Sequence, residues 1–407
     1  MNALKPARID TLQLIGRQTQ LFATDIKEHE RAISERIRGK RILVYGGAGS
    51  IGQEVVKQVF ARYPAALHVI DINENNLVEL VRDLRSTLGY IDGETRFLPI
   101  DMGSPETTAF LASQPPYDFV LNLAAMKHVR SEKDEFSLMR MIKTNVIDTA
   151  SSLEDAMQQN TEKYFAVSTD KAKNPANLMG ATKRIMEDVL FARRDISSCA
   201  VSTARFANVA FSDGSLLHGF RQRMLKKQPL SAPRDVRRYF VTGEESGLLC
   251  LASAFLGNNG EIFFPDLDAG TDLLTFSEIA IRFLESNGYE PVEMKSEDEA
   301  RHLAGELIRD RKWPCYFFDS DTSGEKPFEE FYSEEDDIDL EKFADIGIVL
   351  SKQQSEEALN RAETFMDSVK ALRFDGSWSK RRLVELIAEA CPELQHIDTG
   401  TFLDEKM

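Results

Sequence analysis

The sequence predicts an α/β fold, with a doubly wound parallel sheet, a smaller C-terminal substrate-binding lobe and helical extensions at both ends. Three observations carry this. Short apolar runs alternate with helical patterns through residue 206, as strands joined by crossover helices do. The first run, Ile42-Leu43-Val44-Tyr45, passes straight into a glycine turn that opens a helix. The stretch 163–195 joins an apolar, aromatic-rich run to a polar turn bearing hydroxyl, carboxylate and ammonium groups. That is the pattern of a buried strand delivering chemistry at its C-terminal end, where open parallel sheets bind ligands.

A chain of 407 residues suits about two domains, or one elaborated α/β domain with extensions. The expected boundaries are 1–38 for an N-terminal helical extension, 39–210 for the sheet domain, 211–350 for the interleaved lobe, and 351–407 for a C-terminal helical extension. Apolar residues at 42% and charged residues at 29% are ordinary for a globular protein. The formal charge of −16 speaks against nucleic acid or an anionic membrane as main partner, since phosphate binding wants a basic face. A local pocket for one nucleotide remains compatible with it. Cys199, Cys250, Cys315 and Cys391 are scattered without paired spacing, so neither a disulfide framework nor a metal site is indicated. The start lacks the apolar core of a signal peptide, and no run of eighteen apolar residues occurs. A soluble, cytoplasmic protein without a membrane span is expected, and a homo-oligomer.

In order, residues 1–38 carry Leu12, Leu14, Ile15, Leu21, Phe22, Ile26, Ile33 and Ile37 near helical periods. They read as an extension packing on the main domain or on a neighbouring subunit. After the first strand, Gly46, Gly49 and Gly52 give G-x-x-G-x-x-G. Glycine permits the tight turn and the close backbone approach that let a helix N-terminus hold a pyrophosphate, and Ser50 and Ile51 belong to the same site. The next strand, Leu67-His68-Val69-Ile70, ends in Asp71, an acid placed for an adenosine ribose. With no arginine directly following, NAD is favoured over NADP. Phe97-Leu98-Pro99-Ile100 ends in Asp101-Met102, placed to contact the adenine. Phe119 to Leu123 ends in Ala124-Ala125-Met126-Lys127-His128, where the small alanines let a cofactor lie close. Lys127 and His128 face the site or are solvated loop residues. Asn145, on a helix beside the central strand, anchors a group near the catalytic lysine or is a satisfied buried amide.

The organising stretch follows. Ser168-Thr169-Asp170-Lys171 ends its strand, and Met179 and Lys183, one helical turn apart, share a face that can look back at Asp170 and Lys171. After the strand 200–206 come Ser212-Asp213-Gly214-Ser215, the basic residues Arg221, Arg223, Lys226 and Lys227, and Arg234 to Tyr239. Arginine there suits a diphosphate, whereas Lys226 and Lys227 read as a solvated helix face. Ser323 to Lys326 reads as a turn in an acidic surface loop that includes Glu329. Further helices are expected over 277–287, 296–311, 354–372 and 378–390.

Together, Gly46 to Gly52, Asp71, Ser168-Thr169-Asp170-Lys171-Ala172, Asn177 to Lys183, Arg205 to Ser215, Arg238-Tyr239-Phe240 and Gly324-Glu325-Lys326 resemble the nucleotide-sugar 4,6-dehydratases. These are extended short-chain dehydrogenase/reductases with a Rossmann domain. Within them the chain is most similar to the polysaccharide-biosynthesis branch that acts on UDP-N-acetylglucosamine. Met179 stands where the superfamily has the tyrosine of Tyr-x-x-x-Lys, as in one branch of these dehydratases. Pro327-Phe328-Glu329 departs from the usual Leu-His-Glu-like run.

The resemblance implies NAD-dependent oxidation at carbon 4, elimination of water across carbons 5 and 6, and hydride return. It assigns Asp170 as acid for the 6-hydroxyl and Lys171 as base at carbon 5. Thr169 would meet the 4-hydroxyl and Lys183 the nicotinamide ribose. Met179 has no proton to exchange and cannot replace the tyrosine chemically. The resemblance also implies Lys127, His128, Asn208, Ser215, Arg238 and Glu325 as contacts of the nucleotide sugar, and Lys127 and Asn145 as cofactor neighbours. Three alternatives stay open: a GDP-N-acetylglucosamine substrate, an epimerase, and a non-catalytic NAD-binding regulator.

Overall fold

The computed structural model describes residues 10–194, 196–321, 326, 328–352 and 355–396. The apolar runs form strands β1 (Arg41–Tyr45), β2 (Ala66–Ile70), β3 (Glu94–Leu98), β4 (Phe119–Asn122), β5 (Lys163–Thr169) and β6 (Ala200–Phe206). Among the described residues they belong to a nine-stranded sheet. Its order is Asp337–Asp339, Ile346–Leu350, Glu261–Pro265, β6, β5, β4, β1, β2, β3. Every pairing from β3 across to Glu261–Pro265 is parallel, and the last two strands are antiparallel. Every residue of β2 and β4 is buried, as helices on both faces of a parallel sheet require. Strand order reverses between β1 and β4, which opens a crevice at their C-terminal ends.

One expected strand is displaced. The run Phe97–Ile100 is helped little by its apolar character, because β3 is an edge strand whose residues alternate in exposure and begin with Glu94. Pro99 has no N–H for the ladder, so pairing ends at Leu98.

The helix Ala23–Ile37 lies on the chain's own sheet domain. Phe22, Ile26, Ile33 and Ile37 join the core of β1 and of the helices Ser50–Phe60 and Gly243–Leu256. Arg17 fixes the approach, with Nη1 and Nη2 donating to the two oxygens of Glu245 at 2.8 and 2.5 Å. Buried Asp25 accepts from the backbone of Ala344 and Asp345. At the other end, helices Glu356–Asp375 and Lys380–Ala390 set Phe365, Met366, Val369, Leu383 and Ile387 against Leu178, Ala181, Ile185 and Val189. The helix Leu178–Ala192 is therefore covered on its outer side as well as on its sheet side. Residues 211–350 build a parallel three-stranded sheet (Glu290–Glu293, Lys312–Phe318, Leu230–Pro233) around Phe220, Phe283 and Trp313. They also supply the far strands of the large sheet. Among the described residues no helix is long and apolar enough to cross a membrane.

One buried ion pair ties these parts together. Arg205 at the end of β6 donates from Nε and Nη2 to both oxygens of Glu187, at 3.0 and 2.7 Å, and from Nη1 to the carbonyl of Phe331 at 2.7 Å. Ser168 on β5 donates to Glu187 at 2.6 Å. Arg205 and Glu187 are 2% and 1% exposed, so removing one partner strands a charge out of water. We expect Glu187→Gln to cost roughly 3 kcal/mol in urea unfolding, and Glu187→Met with Arg205→Met to recover part of it. A loss below about 1 kcal/mol, the level of a surface pair, would contradict this.

Candidate active site

The glycine turn is demanded partly by the fold. Gly46 has φ +67°, and a Cβ on it would lie 2.5 Å from the backbone N of Ala124. A Cβ on Gly52 would run into Gly46, and one on Gly47 into Val69. Gly47 was not singled out from the sequence, because its constraint comes from another strand. Gly49 differs: its nearest neighbour would be Gly46 O at an ordinary 3.5 Å. The fold leaves space there, at the N-cap of the helix Ser50–Phe60, whose first N–H groups, at Ser50, Ile51 and Gly52, have no intrahelical acceptor. Asp71 closes the turn from β2, accepting from Ala48 N and Asn73 N at 2.9 Å each.

Asp101 lies in an ionic network. It accepts from Gly103 N at 2.9 Å, Arg140 Nη2 at 2.6 Å and Lys143 Nζ at 3.1 Å, and Lys143 also meets Asp148 at 2.6 Å. Burial works against its charge, but these donors bring its carboxyl down to about 2. Met102 beside it packs on the sheet core. Among the described residues no hydrogen bond or ion pair joins Asp101 to the glycine turn.

The β4 exit is pinned from a π-helical turn, Lys143–Ile147. Asn145, fully buried, accepts from Met126 N at 2.9 Å and donates to Met126 O at 3.0 Å and Thr182 Oγ1 at 3.1 Å. Its amide is satisfied, and by the same bonds it joins the loop after Ala124 and Ala125 to the helix that carries Lys183. Lys127 Nζ donates to Ser212 Oγ at 3.2 Å, the His128 ring lies over Gly214, and Asp213 N donates to Ser50 Oγ at 2.9 Å. The 212–215 turn thus bridges the glycine turn and the β4 exit. Ser215 caps the helix Leu216–Leu225 by accepting from His218 N. Lys226 and Lys227 are exposed.

At the end of β5, Asp170 is 2% exposed and Lys171 partly buried. Asp170 Oδ1 accepts from Thr169 Oγ1 at 2.8 Å, Lys171 N at 2.9 Å and Lys171 Nζ at 3.0 Å. Asn177 caps the helix Leu178–Ala192, accepting from Gly180 N at 2.8 Å, and Gly180 admits the backbone of Lys171 where any Cβ would collide. Met179 is 3% exposed, and its N–H donates to Glu132 at 2.7 Å. Lys183 Nζ donates to Val167 O at 2.9 Å. Burial pushes the Lys183 ammonium down to about 8, with Glu187 opposing. The helix start therefore meets the Asp170 turn through Gly180, while the Lys183 head group lies against β5.

One residue departs from the sequence reading, and another is held by the chain itself. Arg238, expected to face a diphosphate, is 4% exposed, and its Nη1 donates to Arg237 O at 2.8 Å and Lys326 O at 2.9 Å. Glu329, expected on an acidic surface, is 3% exposed and joins the site. Its Oε1 lies 3.9 Å from Lys171 Nζ and 4.0 Å from Arg238 Nη2, and its Oε2 lies 3.8 Å from Lys326 Nζ. The available signal was a pair of acids, Glu329 and Glu330, set between Phe328 and Phe331-Tyr332, where buried Phe331 draws the backbone inward. Burial, then Asp170, raises the Glu329 carboxyl above its usual range, against Lys171, Arg238 and Lys326. Asn208, on a two-residue strand beside Phe240–Val241, has a buried Nδ2 with no hydrogen-bond partner. Glu325 lies outside the described residues.

Comparison with known proteins gives the same site a family context. A protein of Methanocaldococcus jannaschii named "Uncharacterized membrane protein MJ1061" is 32% identical over 78% of this chain and 87% of its own. The "UDP-N-acetylglucosamine 4,6-dehydratase (inverting)" of Campylobacter jejuni strain 81-176 is 29% identical over 56% of this chain and 67% of its own. Other curated relatives are longer, and the aligned region spans 46% and 44% of two of them. The fold is shared with DesIV, a dTDP-glucose 4,6-dehydratase of Streptomyces venezuelae solved with NAD bound. The TM-score is 0.56 at 20% identity, over 82% of this chain and 97% of that one. Residues 42–350 match the family model described as "Polysaccharide biosynthesis protein", three quarters of the chain, and the chain belongs to that family.

Proposed function

We propose that this chain is an NAD-dependent nucleotide-sugar 4,6-dehydratase whose substrate is UDP-N-acetylglucosamine. The observation that carries the reading is buried Asp170 with partly buried Lys171 3.0 Å from it at the C-terminal end of β5, and Met179 where a proton-transferring tyrosine would otherwise stand. An epimerase of this fold needs a group at that position that exchanges a proton. A thioether cannot.

The residues present fit a dinucleotide. Free N–H groups at a helix start, the open space before Gly49 and the unused lone pairs of Asp71 match a pyrophosphate and a ribose hydroxyl. Bound NAD supplies the oxidation of carbon 4 and the return of hydrogen to carbon 6. The chain's own residues supply the proton chemistry. Once carbon 4 is a ketone, the carbon-5 proton is acidic, and neutral Lys171 takes it on Nζ. Protonated Asp170 gives its proton to the 6-oxygen, which leaves as water. The 3.0 Å contact then lets the proton on Lys171 return to Asp170, restoring both groups. The 4-hydroxyl proton leaves to solvent as carbon 4 is oxidised, and solvent supplies the proton that carbon 5 takes when hydrogen returns to carbon 6. Thr169 Oγ1, which here donates to Asp170 at 2.8 Å, turns to the 4-oxygen in this reading. A lysine near 8 is still mainly ammonium at pH 7, so Lys183 brings positive charge to the same strand end.

The direct test is incubation with UDP- and with GDP-N-acetylglucosamine, followed by mass spectrometry and NMR. A 4-keto product one water lighter is expected from the UDP sugar. Product from the GDP sugar alone would change the base, and no product from either by an NAD-loaded, folded protein would end the reading. Gly49→Val should fold, because the site has room for a side chain, yet lose bound NAD by filling the pyrophosphate space. Unchanged NAD content in that variant would remove the glycine turn from the account. Met179→Leu should keep substantial activity, since a volume-conserving swap usually costs less than about 1.5 kcal/mol. Activity as low as that of an acid or base variant would show that the sulfur matters.

A further inference from the structure

Glu329 is a buried carboxyl to which the mechanism above gives no task. It faces Lys171, Arg238 and Lys326 at 3.8–4.0 Å, and its Oε2 makes no hydrogen bond. A purely structural carboxylate gains most from direct, charge-assisted contacts at about 2.7–2.9 Å. Glu329 stops short of all three cations. It is nevertheless firmly placed, because Arg238 holds Lys326 O on one side and Arg205 holds Phe331 O on the other. Lys326 Nζ in turn donates to Asn174 O, tying the segment to the loop that follows Lys171.

The result is one ammonium with two seats. Lys171 Nζ is 3.0 Å from Asp170 Oδ1 and 3.9 Å from Glu329 Oε1. A lysine side chain covers the difference with a small torsional change. The first seat creates a difficulty, since an ammonium bonded to Asp170 favours the carboxylate, whereas an acid must keep its proton.

We propose that Glu329 is a positioning residue that acts through Lys171. It receives the ammonium formed when Lys171 takes the carbon-5 proton, so that Asp170 keeps its own proton for the departing 6-oxygen. The proposal rests on the dehydratase reading. The step is balanced: the C5–H bond breaks and an N–H bond forms on Lys171. The Asp170 O–H proton then passes to the 6-oxygen as the C6–O bond breaks. Lys171 afterwards swings back and returns its proton to Asp170. The charged groups facing Lys171 are Asp170 on its own turn and Glu329 on the returning segment, with Arg238 and Lys326 behind Glu329.

The test compares Glu329→Gln and Glu329→Asp in the full-length, NAD-loaded protein, by kcat, KM and the pH dependence of kcat/KM with UDP-N-acetylglucosamine. Glu329→Gln should lower kcat about ten- to a hundredfold, less than the 10²–10⁴-fold of an acid or base itself, with KM little changed. Losing an anion favours the neutral amine, so the acid limb of the profile should move down by about one pH unit. Glu329→Asp keeps the charge and withdraws it by one methylene. It should lose only a few fold in kcat with the limb unmoved. Wild-type kcat and profile in Glu329→Gln, or a loss of thermal stability alone, would overturn the proposal. Should Glu329→Gln fail to fold, unchanged kcat in Glu329→Asp overturns it instead. Absence of any 4-keto product with wild-type protein would remove the dehydratase reading and this proposal together. A fully active wild type with unaffected variants would remove this proposal alone.

Discussion

The site depends on a contact between neighbours in sequence, Lys171 Nζ on Asp170 Oδ1 at 3.0 Å. Adjacent residues at a strand end ordinarily point apart. Here the chain leaves β5 in a short 3-10 turn, Asp170–Ala172, which brings both side chains to the same side. That turn survives because Gly180 lets the next helix close directly on the Lys171 backbone. Charge at this distance is consequential. Two unit charges about 4 Å apart interact by about 4 kcal/mol at an effective dielectric of about 20. Glu329 at 3.9 Å is therefore as much a part of the electrostatics as the covalent neighbour.

Holding such a cluster out of water needs a rigid surround. Glu187 and Arg205 provide it by linking Ser168, two residues before the Asp170 turn, to Phe331, two residues after Glu329. The same helix that carries Glu187 carries Met179 and Lys183, and the C-terminal helices bury its outer face. The extension is thus part of how the helix bearing those residues is held, although it lies behind them. On the cofactor side, Asn145 joins the β4 exit to Thr182. Displacement of either half of the site would be felt by the other.

Much of this was legible in the sequence, because the signals were local. Continuous apolar runs gave β1, β2, β4, β5 and β6, and glycine spacing gave the turn whose Gly46 takes φ +67°. What was hidden depends on partners distant in the chain. β3 is polar because it is an edge, so its apolar run marked only the strand's end. Gly47 is fixed by Val69, and Arg238 turns inward because Lys326 and Glu329 fold back over it. The amphipathic stripes of both extensions said that a face was covered, without saying by what. Arg140 and Lys143 stand three apart on adjoining helical turns, a spacing that could have announced the ionic network around Asp101.

The central claim is that Asp170 and Lys171 divide the proton chemistry of an elimination, and isotope exchange separates their roles. Lys171→Ala and Asp170→Asn are each mixed with UDP-N-acetylglucosamine in deuterated water under single-turnover conditions, and the recovered sugar is read by NMR. Without its base, Lys171→Ala should leave carbon 5 nearly free of deuterium. Asp170→Asn should deprotonate carbon 5 but expel the 6-oxygen poorly, so its recovered substrate should carry deuterium there. Exchange in Lys171→Ala with none in Asp170→Asn would contradict the assignment.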